Sequence, residues 1–170
     1  SLSTRCVSQL FVSVHRELDQ HYMWVNGYMG GVYQENNKVV ETHELSCSHL
    51  IENVMRELPT LCDKLLDKAH HLTLAKPIVP GVYDVITAPS ITGLIAHEAF
   101  GHGVEMDQFV KDRALAKQYM GKYVASPMVN MRDGAASTLS AASYFFDDDG
   151  VPAGDTQIIK DGILVAGISD

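Results

Sequence analysis

The sequence predicts an α+β fold, a largely antiparallel sheet with helices, one of which carries a His-Glu-x-x-x-His motif. Three observations predict this class. Apolar and polar residues alternate along several short segments, as they do in half-buried strands. Other segments carry apolar residues at the spacing of an amphipathic helix. Turn residues separate neighbouring strand segments, which favours antiparallel pairing.

The first part of the chain is expected to contain three strands, at residues 7–14, 22–32 and 39–45. A turn at residues 35–38 (Glu-Asn-Asn-Lys) would join the last two strands. A helical period then runs from Leu50 to Ala69, with Ser48 as its N-cap. Pro59 should kink this element or start a second helix at its first turn.

Residues 76–81 (Lys-Pro-Ile-Val-Pro-Gly) interrupt the helical period and mark the best internal boundary. We therefore expect two regions. Residues 1–75 form a strand-rich segment followed by helices, and residues 76–170 contain the motif helix and the β-rich region that follows it.

The second region should begin with a short strand at residues 82–87, followed by the motif helix at residues 91–103. Pro89 and Ser90 introduce this helix, with Ser90 as its N-cap. Three apolar side chains are expected on its buried faces: Leu94, Ile95 and Phe100.

One more helix is predicted at residues 111–120. Four further strands are predicted, at residues 128–131, 140–146, 156–160 and 163–168. A turn at Asp161-Gly162 should join the last two strands.

The most informative feature is the motif itself, in which His97 and His102 bracket Glu98 directly after an apolar run. Two imidazoles and a neighbouring Glu are the parts of a zinc hydrolase, in which the metal activates water and the Glu moves its proton. Zincins place their histidines at i and i+4. Here they lie at i and i+5, about 140° apart on a regular α-helix. A wider i→i+5 turn would bring them into line. A metal site therefore requires an irregular helix near Gly101, where a glycine lets the backbone deform at low steric cost.

A second interpretation of the same segment remains open. On a regular helix, Glu98, His102 and Glu105 share a face at i, i+4 and i+7. They would then form a solvated polar stripe, or a site with two carboxylates and one imidazole that prefers manganese or iron to zinc.

Composition excludes several function classes. The 170 residues carry a net charge of −8, which argues against a direct nucleic-acid partner. No apolar run approaches the length of a membrane span of about 20 residues. The three cysteines, Cys6, Cys47 and Cys62, fit reduced thiols of a cytoplasmic protein better than a disulfide framework.

Four segments resemble the TldD/PmbA family of metallopeptidases, also called modulators of DNA gyrase. They are His97-Glu98-Ala99-Phe100-Gly101-His102-Gly103-Val104-Glu105-Met106-Asp107, Gly121 to Pro127, Phe146 to Pro152, and Ile158 to Leu164. They come in the family's order. The family has TldD-type halves with the His-Glu-x-x-x-His motif and PmbA-type halves without it, and this chain resembles the former.

The resemblance implies a zinc peptidase in which His97 and His102 bind Zn²⁺ and Glu98 is the catalytic residue. It also implies an extended peptide or protein substrate, and a homodimer or a heterodimer with a family partner half. The family's third protein ligand is a downstream Cys, and the cysteines of this chain all precede the motif. We therefore expect a truncated portion of a longer peptidase, covering part of the family's N-terminal region and the start of its C-terminal region. Alone, it should bind metal weakly. The alternative function is a non-catalytic module that binds a peptide or partner.

Overall fold

The chain divides between Gly81 and Val82 into two units, Ser1–Gly81 and Val82–Asp170, in a computed structural model that describes residues 1–35 and 37–169. Antiparallel sheets with flanking helices make up both units, which confirms the α+β class. The predicted turn at residues 35–38 includes Asn36, which lies outside the described residues.

The first unit is built on three long antiparallel strands in the order β1-β2-β3. They span β1 (Leu2–Val12), β2 (Glu17–Glu35) and β3 (Lys38–Ser48). The three predicted strands are confirmed, and each is longer than its alternating pattern alone indicated. Backbone pairing carries the ladders beyond the alternating segments, from Val12↔Glu17 at one hairpin to Glu35↔Lys38 at the next.

Two helices follow the sheet and pack on one of its faces. They are α1 (Ile51–Glu57) and α2 (Cys62–Leu74), joined by a 3₁₀ turn at Leu58–Leu61. Pro59 lies in the first turn of that connection, as predicted. The predicted Ser48 N-cap is wrong, because Ser48 still belongs to β3 and Leu50 is the N-cap. The Ser48 hydroxyl instead accepts a hydrogen bond from the Leu50 amide.

Helix packing on the sheet depends on small and apolar residues. Val25, Val54, Leu65 and Ala69 are buried between the two layers. The β2 residue Gly27 lies so close to Val54 that an added Cβ would come within 2.6 Å of its side chain. The absence of a side chain at Gly27 therefore lets α1 approach the sheet closely.

A buried carboxylate also ties α2 to β3. The side chain of Glu44 is 10% exposed and accepts hydrogen bonds from Lys64 at 2.8 Å and from Lys68 at 3.4 Å. The hydrogen bond from Lys64 is the main cause that lowers the pKa of the Glu44 carboxyl below its usual 4.5, against an opposing effect of burial. The ionised form is thus the one that the folded unit prefers.

We expect this ion pair to stabilise the first unit at neutral pH and to make its stability fall in acid. Since the folded pKa of Glu44 is lowered, its stabilisation is present above the unfolded pKa near 4.5 and is lost as the pH falls through the folded value. Thermal unfolding between pH 7 and pH 3 should show a smaller acid-induced drop for Glu44→Gln than for the unaltered chain. Glu41→Gln, at an exposed carboxylate on the same strand, is the control. An acid-induced drop as large in Glu44→Gln as in the unaltered chain would contradict this role.

The second unit begins with an extended segment rather than a strand. The strand predicted at residues 82–87 is wrong, because the segment has no regular structure. Val82, Val85 and Ile86 project into solvent, and within the described residues no strand pairs with them. Alternating apolar residues therefore do not form a strand here, since a strand needs a hydrogen-bonded neighbour.

The second unit also contains a small antiparallel sheet, with its strands in the order β4-β5-β6. Its strands are β4 (Met131–Asp133), β5 (Thr156–Lys160) and β6 (Ile163–Leu164). The prediction for β5 is confirmed residue for residue, whereas β4 is shifted and β6 shortened. The strand predicted at residues 140–146 is wrong: bends and turns replace it, apart from an isolated bridge between Phe146 and Pro152.

The helix predicted at residues 111–120 is also wrong. A short helix α4 (Met106–Val110) precedes that range, and a 3₁₀ turn at Leu115–Tyr119 lies within it. Asp112 has a φ of 55°, in the left-handed region. A right-handed helix cannot continue through such a residue, so the two pieces are separate.

The hairpin between β5 and β6 turns at Asp161 and Gly162, as predicted, with φ values of 49° and 81°. An added Cβ at Gly162 would meet the Ala125 carbonyl oxygen at 2.6 Å and the Ser126 carbonyl oxygen at 2.7 Å. Both the positive φ and the close backbone therefore require glycine at this position.

Gly162→Ala should destabilise the second unit by about 1–3 kcal/mol, because the backbone conformation becomes strained and the neighbouring chain must move. Hydrogen exchange of the β5 and β6 backbone amides measures this loss, because the single tryptophan, Trp24, lies in the first unit. Gly154→Ala, at a glycine with open space around it, should change stability little. Equal stability of the two variants would show that the turn tolerates a side chain.

Candidate metal centre

The motif helix begins as a regular α-helix, α3 (Pro89–Ile95). The predicted Ser90 N-cap is wrong, because the helix starts two residues earlier than predicted, with Pro89 in its first turn and Ala88 as the N-cap. Proline suits this position, since it has no amide proton to satisfy. The Ala88 carbonyl accepts hydrogen bonds from the amides of Ile91 and Thr92.

The helix then widens into a π turn at Ala96–Phe100, followed by a 3₁₀ turn at Gly101–Val104. The Gly101 amide donates to the Ala96 carbonyl five residues earlier and also to the His97 carbonyl four residues earlier. The predicted irregularity of the helix near Gly101 is confirmed. As a result, the rings of His97 and His102 lie 4.7 Å apart between centroids, with an interplanar angle of 67°.

Gly101 is not the residue that takes up the distortion. Its φ and ψ, −54° and −53°, are those of an ordinary helix, whereas Phe100 departs with a φ of −131°. An added Cβ at Gly101 would lie 3.5 Å from the Ala96 carbonyl oxygen, an ordinary contact. The i→i+5 turn therefore does not depend on glycine at this position.

Gly101→Ala should accordingly keep the π turn and change the free energy of unfolding by no more than about 1 kcal/mol, the usual difference between the two residues in a helix. Urea unfolding measures stability, and a crystal structure of the variant shows whether the His97 and His102 rings stay together. Separated rings or a much larger loss of stability would mean that glycine is required for the turn.

The π turn brings three chemically useful side chains to one place. Ligand atoms of His97, Glu98 and His102 all lie within 4.8 Å of one another, and all three residues are exposed. Among the described residues, His97, Glu98 and His102 form the one group of three or more His, Cys, Asp or Glu side chains that lie close enough together to hold a metal ion. Glu105 is not in it.

Glu105 contacts the centre through His102. The Nδ1 atom of His102 lies 2.7 Å from the Oε1 atom of Glu105. The hydrogen bond to Glu105, together with its charge, raises the pKa of His102 above its usual 6.5. The sequence identified Glu105 as a possible third member of a carboxylate site, but it gave no signal of this hydrogen bond.

The expected burial of the motif helix is only partly correct. Leu94 and Ile95 are 54% and 51% exposed, so their predicted burial is wrong. Phe100 is partly buried and packs against the core of the unit, formed by Val104, Ile158, Ile159 and Leu164. The segment is thus anchored from its C-terminal side, where the π turn ends.

Two cavities border the motif segment. One of about 550 Å³ is lined by Glu105 and Asp107, and by two carboxylates from later parts of the chain, Asp133 and Asp147. A second of about 420 Å³ is lined mainly by apolar groups, including Ala99, Phe100, Leu115 and Tyr119. Sequence reasoning missed both cavities, because their lining residues come from several separate elements and no local pattern shows that they lie together in the fold.

The cysteines lie in the first unit, where Cys6, Cys47 and Cys62 are exposed and free. His43, close to Cys47 in sequence, stacks on the ring of Tyr28 with centroids 5.8 Å apart. Within the described residues, none of these side chains belongs to a group that could hold a metal ion. No helix among the described residues is long and apolar enough to span a membrane.

The fold and the motif together define a metallopeptidase class. The family model for the PmbA/TldA metallopeptidase C-terminal domain matches residues 80–170. The chain belongs to this family, which confirms the resemblance seen in the sequence.

Curated relatives agree with the family assignment. A metalloprotease from Synechocystis is 45% identical over 94 residues, covering 54% of this chain and 20% of the relative. A metalloprotease from Methanocaldococcus jannaschii is 32% identical over 137 residues, covering 81% of this chain and 30% of the relative. A zinc metalloprotease TldD homologue from Saccharolobus solfataricus is 33% identical over 91 residues, covering 53% of this chain and 20% of the relative. The chain thus spans 20–30% of the length of these relatives.

Solved structures share the fold at low sequence identity. A modulator of DNA gyrase from Thermotoga maritima matches with a TM-score of 0.77 and 18% identity, over 90% of this chain and 35% of its own. TldE from Thermococcus kodakarensis matches with a TM-score of 0.65 and 17% identity, over 91% of this chain and 34% of its own. At this identity the likeness concerns the fold alone.

Proposed function

We propose that this chain is part of a zinc-dependent peptidase, in which His97 and His102 bind the metal and Glu98 acts as the general base. One observation carries the proposal: the π turn gathers ligand atoms of these three side chains within 4.8 Å, although a regular helix would separate His97 from His102. The name of the zinc metalloprotease among the relatives supports zinc as the metal.

The donor set fits zinc. Imidazole nitrogens are common zinc ligands, and catalytic zinc sites combine protein ligands with an open position for water or substrate. The two rings are exposed, so an ion held between them would remain accessible. Glu105 lies outside the group and bonds to His102, which favours two imidazoles over the carboxylate-rich manganese or iron site.

When bound, zinc supplies a Lewis acid for the peptide carbonyl and lowers the pKa of water to near 7. The protein's own groups do the rest. His97 and His102 hold the ion. Glu98 accepts the proton of the attacking water and returns it to the amine that leaves when the peptide bond breaks. Its exposure and its place between the two histidines suit this transfer.

Catalytic zinc normally has three protein ligands, and the described group offers two imidazoles and the base. We assign the third ligand to a residue outside this group, and the family resemblance implies a cysteine. Residues 1–75 then belong to the family's N-terminal region, and residues 76–170 begin its C-terminal region. We expect this chain alone to bind zinc weakly and to be a poor peptidase.

The substrate we propose is an extended peptide or protein, processed in the cytoplasm. The name of the TldE neighbour supports an assembly of two family halves, as a homodimer or a heterodimer. Neither direct nucleic-acid binding nor membrane association is part of the proposal, in keeping with the net charge of −8.

A second candidate is a non-catalytic module that binds a peptide or partner. The exposed apolar side chains of Leu94 and Ile95 beside the motif favour it. Zinc content of the purified protein, measured after adventitious metal has been removed, separates the two candidates. If the chain is a non-catalytic module, substitution of His97 and His102 should leave its zinc content unchanged.

Substitution of the proposed base should separate chemistry from metal binding. In the longer peptidase of which we propose this chain is a part, Glu98→Gln should keep the zinc and lower peptide hydrolysis by at least ~10²-fold, because an amide of the same size cannot accept a proton from water. His97→Ala and His102→Ala should lose zinc and activity together. Zinc analysis and cleavage of an unfolded peptide by the zinc-loaded protein measure these effects.

The exposed thiols need a control in these experiments, since they also bind zinc. All variants are therefore made in a background with serine at the three cysteine positions, Cys6, Cys47 and Cys62. Loss of zinc in Glu98→Gln would identify Glu98 as a ligand and contradict its assignment as the base.

A further inference from the structure

One hydrogen bond distinguishes the two histidines of the motif. The Nδ1 atom of His102 donates to the Oε1 atom of Glu105 at 2.7 Å. In the described part of the chain, the His97 ring makes a ring contact with His102 but no comparable hydrogen bond. With Nδ1 engaged, the nitrogen that His102 has left for a metal is Nε2.

We infer that Glu105 is a positioning residue, which fixes the His102 ring in the orientation and tautomer that present Nε2 to zinc. The inference rests on the proposed function. Histidines that ligate metals commonly donate their other ring nitrogen to a carboxylate, which fixes the tautomer and makes the ligand more basic. Glu105 thus acts through His102 and does not itself bind the metal.

The backbone around Glu105 is well placed for this role. Its two neighbours are hydrogen-bonded to Ile168: the Met106 amide donates to the Ile168 carbonyl at 2.9 Å, and the Ile168 amide donates to the Val104 carbonyl at 2.8 Å. Val104 is fully buried in the core of the unit. The carboxylate therefore extends from a backbone segment held on both sides, and not from a free loop.

The position of Glu105 also explains why it is absent from the group of potential ligands. One of its oxygens is committed to Nδ1 of His102, on the side of the ring away from Nε2. The side chain of Glu105 is 39% exposed, so the bond lies at the rim of the centre. Glu105 lies three positions after His102, directly after the end of the 3₁₀ turn.

The test compares three variants, each made in the background with serine at Cys6, Cys47 and Cys62. They are Glu105→Ala, Glu105→Gln and Asp107→Ala. Glutamine keeps an oxygen that can accept the Nδ1 proton, whereas alanine does not. Asp107 is the matched control, because it removes a nearby carboxylate whose partner is the exposed Lys111 and not His102. Thermal unfolding checks that all variants are folded.

Two readouts are used. Long-range nitrogen–proton NMR of the metal-free protein reports the tautomer of the neutral His102 ring, and competition with a chelator reports the affinity for zinc. Glu105→Ala should shift the ring away from the Nδ1–H form and weaken zinc binding about 10–100-fold. Glu105→Gln should retain most of both properties, and Asp107→Ala should retain them fully.

The inference is overturned if the His102 tautomer is the same in Glu105→Ala as in the unaltered protein, or if Asp107→Ala weakens zinc binding equally. It is also overturned if Glu105→Gln loses as much zinc affinity as Glu105→Ala while the tautomer is kept, since Glu105 would then be a ligand. If zinc does not bind at all but the tautomer responds, the zinc peptidase proposal fails and the control of His102 by Glu105 stands.

Discussion

The candidate centre depends on the π turn at Ala96–Phe100, at whose end the Gly101 amide donates to both the Ala96 and the His97 carbonyls. The bond to Ala96 spans five residues and inserts one extra residue into the helical turn. On a regular helix His97 and His102 would point about 140° apart and could not share an ion. With the wider turn their rings lie 4.7 Å apart and Glu98 joins them. The chemistry of the motif is therefore a consequence of a backbone irregularity, and π turns are often found at functional sites for this reason.

Packing against the surrounding structure has to stabilise an irregular turn. Here the stabilising contacts lie on the C-terminal side of the turn. Phe100, the residue with the distorted φ, packs against the core of the second unit. Val104 at the end of the 3₁₀ turn is fully buried, which stabilises by about 1.5–3 kcal/mol for a side chain of this kind. Ile168 then pairs with the backbone on both sides of Glu105. The N-terminal helix α3, in contrast, leaves Leu94 and Ile95 in solvent.

Sequence reasoning succeeded where a pattern maps directly onto backbone geometry. Alternation predicted β1 to β3 and β5, and the five-residue spacing of the histidines predicted a distorted helix. It failed where structure depends on a neighbour that the pattern cannot specify. Residues 82–87 alternate like a strand but have no strand partner among the described residues. The left-handed backbone at Asp112 separates α4 from the 3₁₀ turn at Leu115–Tyr119, and an Asp tolerates this conformation without requiring it.

In the site, too, the motif determines which side chains are present, whereas the fold determines the contacts that they make. The motif supplies two imidazoles and a carboxylate, while the hydrogen bond from His102 to Glu105 engages Nδ1 of that ring and leaves Nε2 available. A metal centre of this kind works best where water is excluded, because electrostatic interactions are then stronger. In this chain His97, Glu98 and His102 are all exposed, and apolar side chains of α3 lie exposed just before them. Under the proposed function, a surface that covers these apolar side chains would exclude water from the centre and bring the third ligand to it. Completion of the metal shell and closure of the site would then be one event.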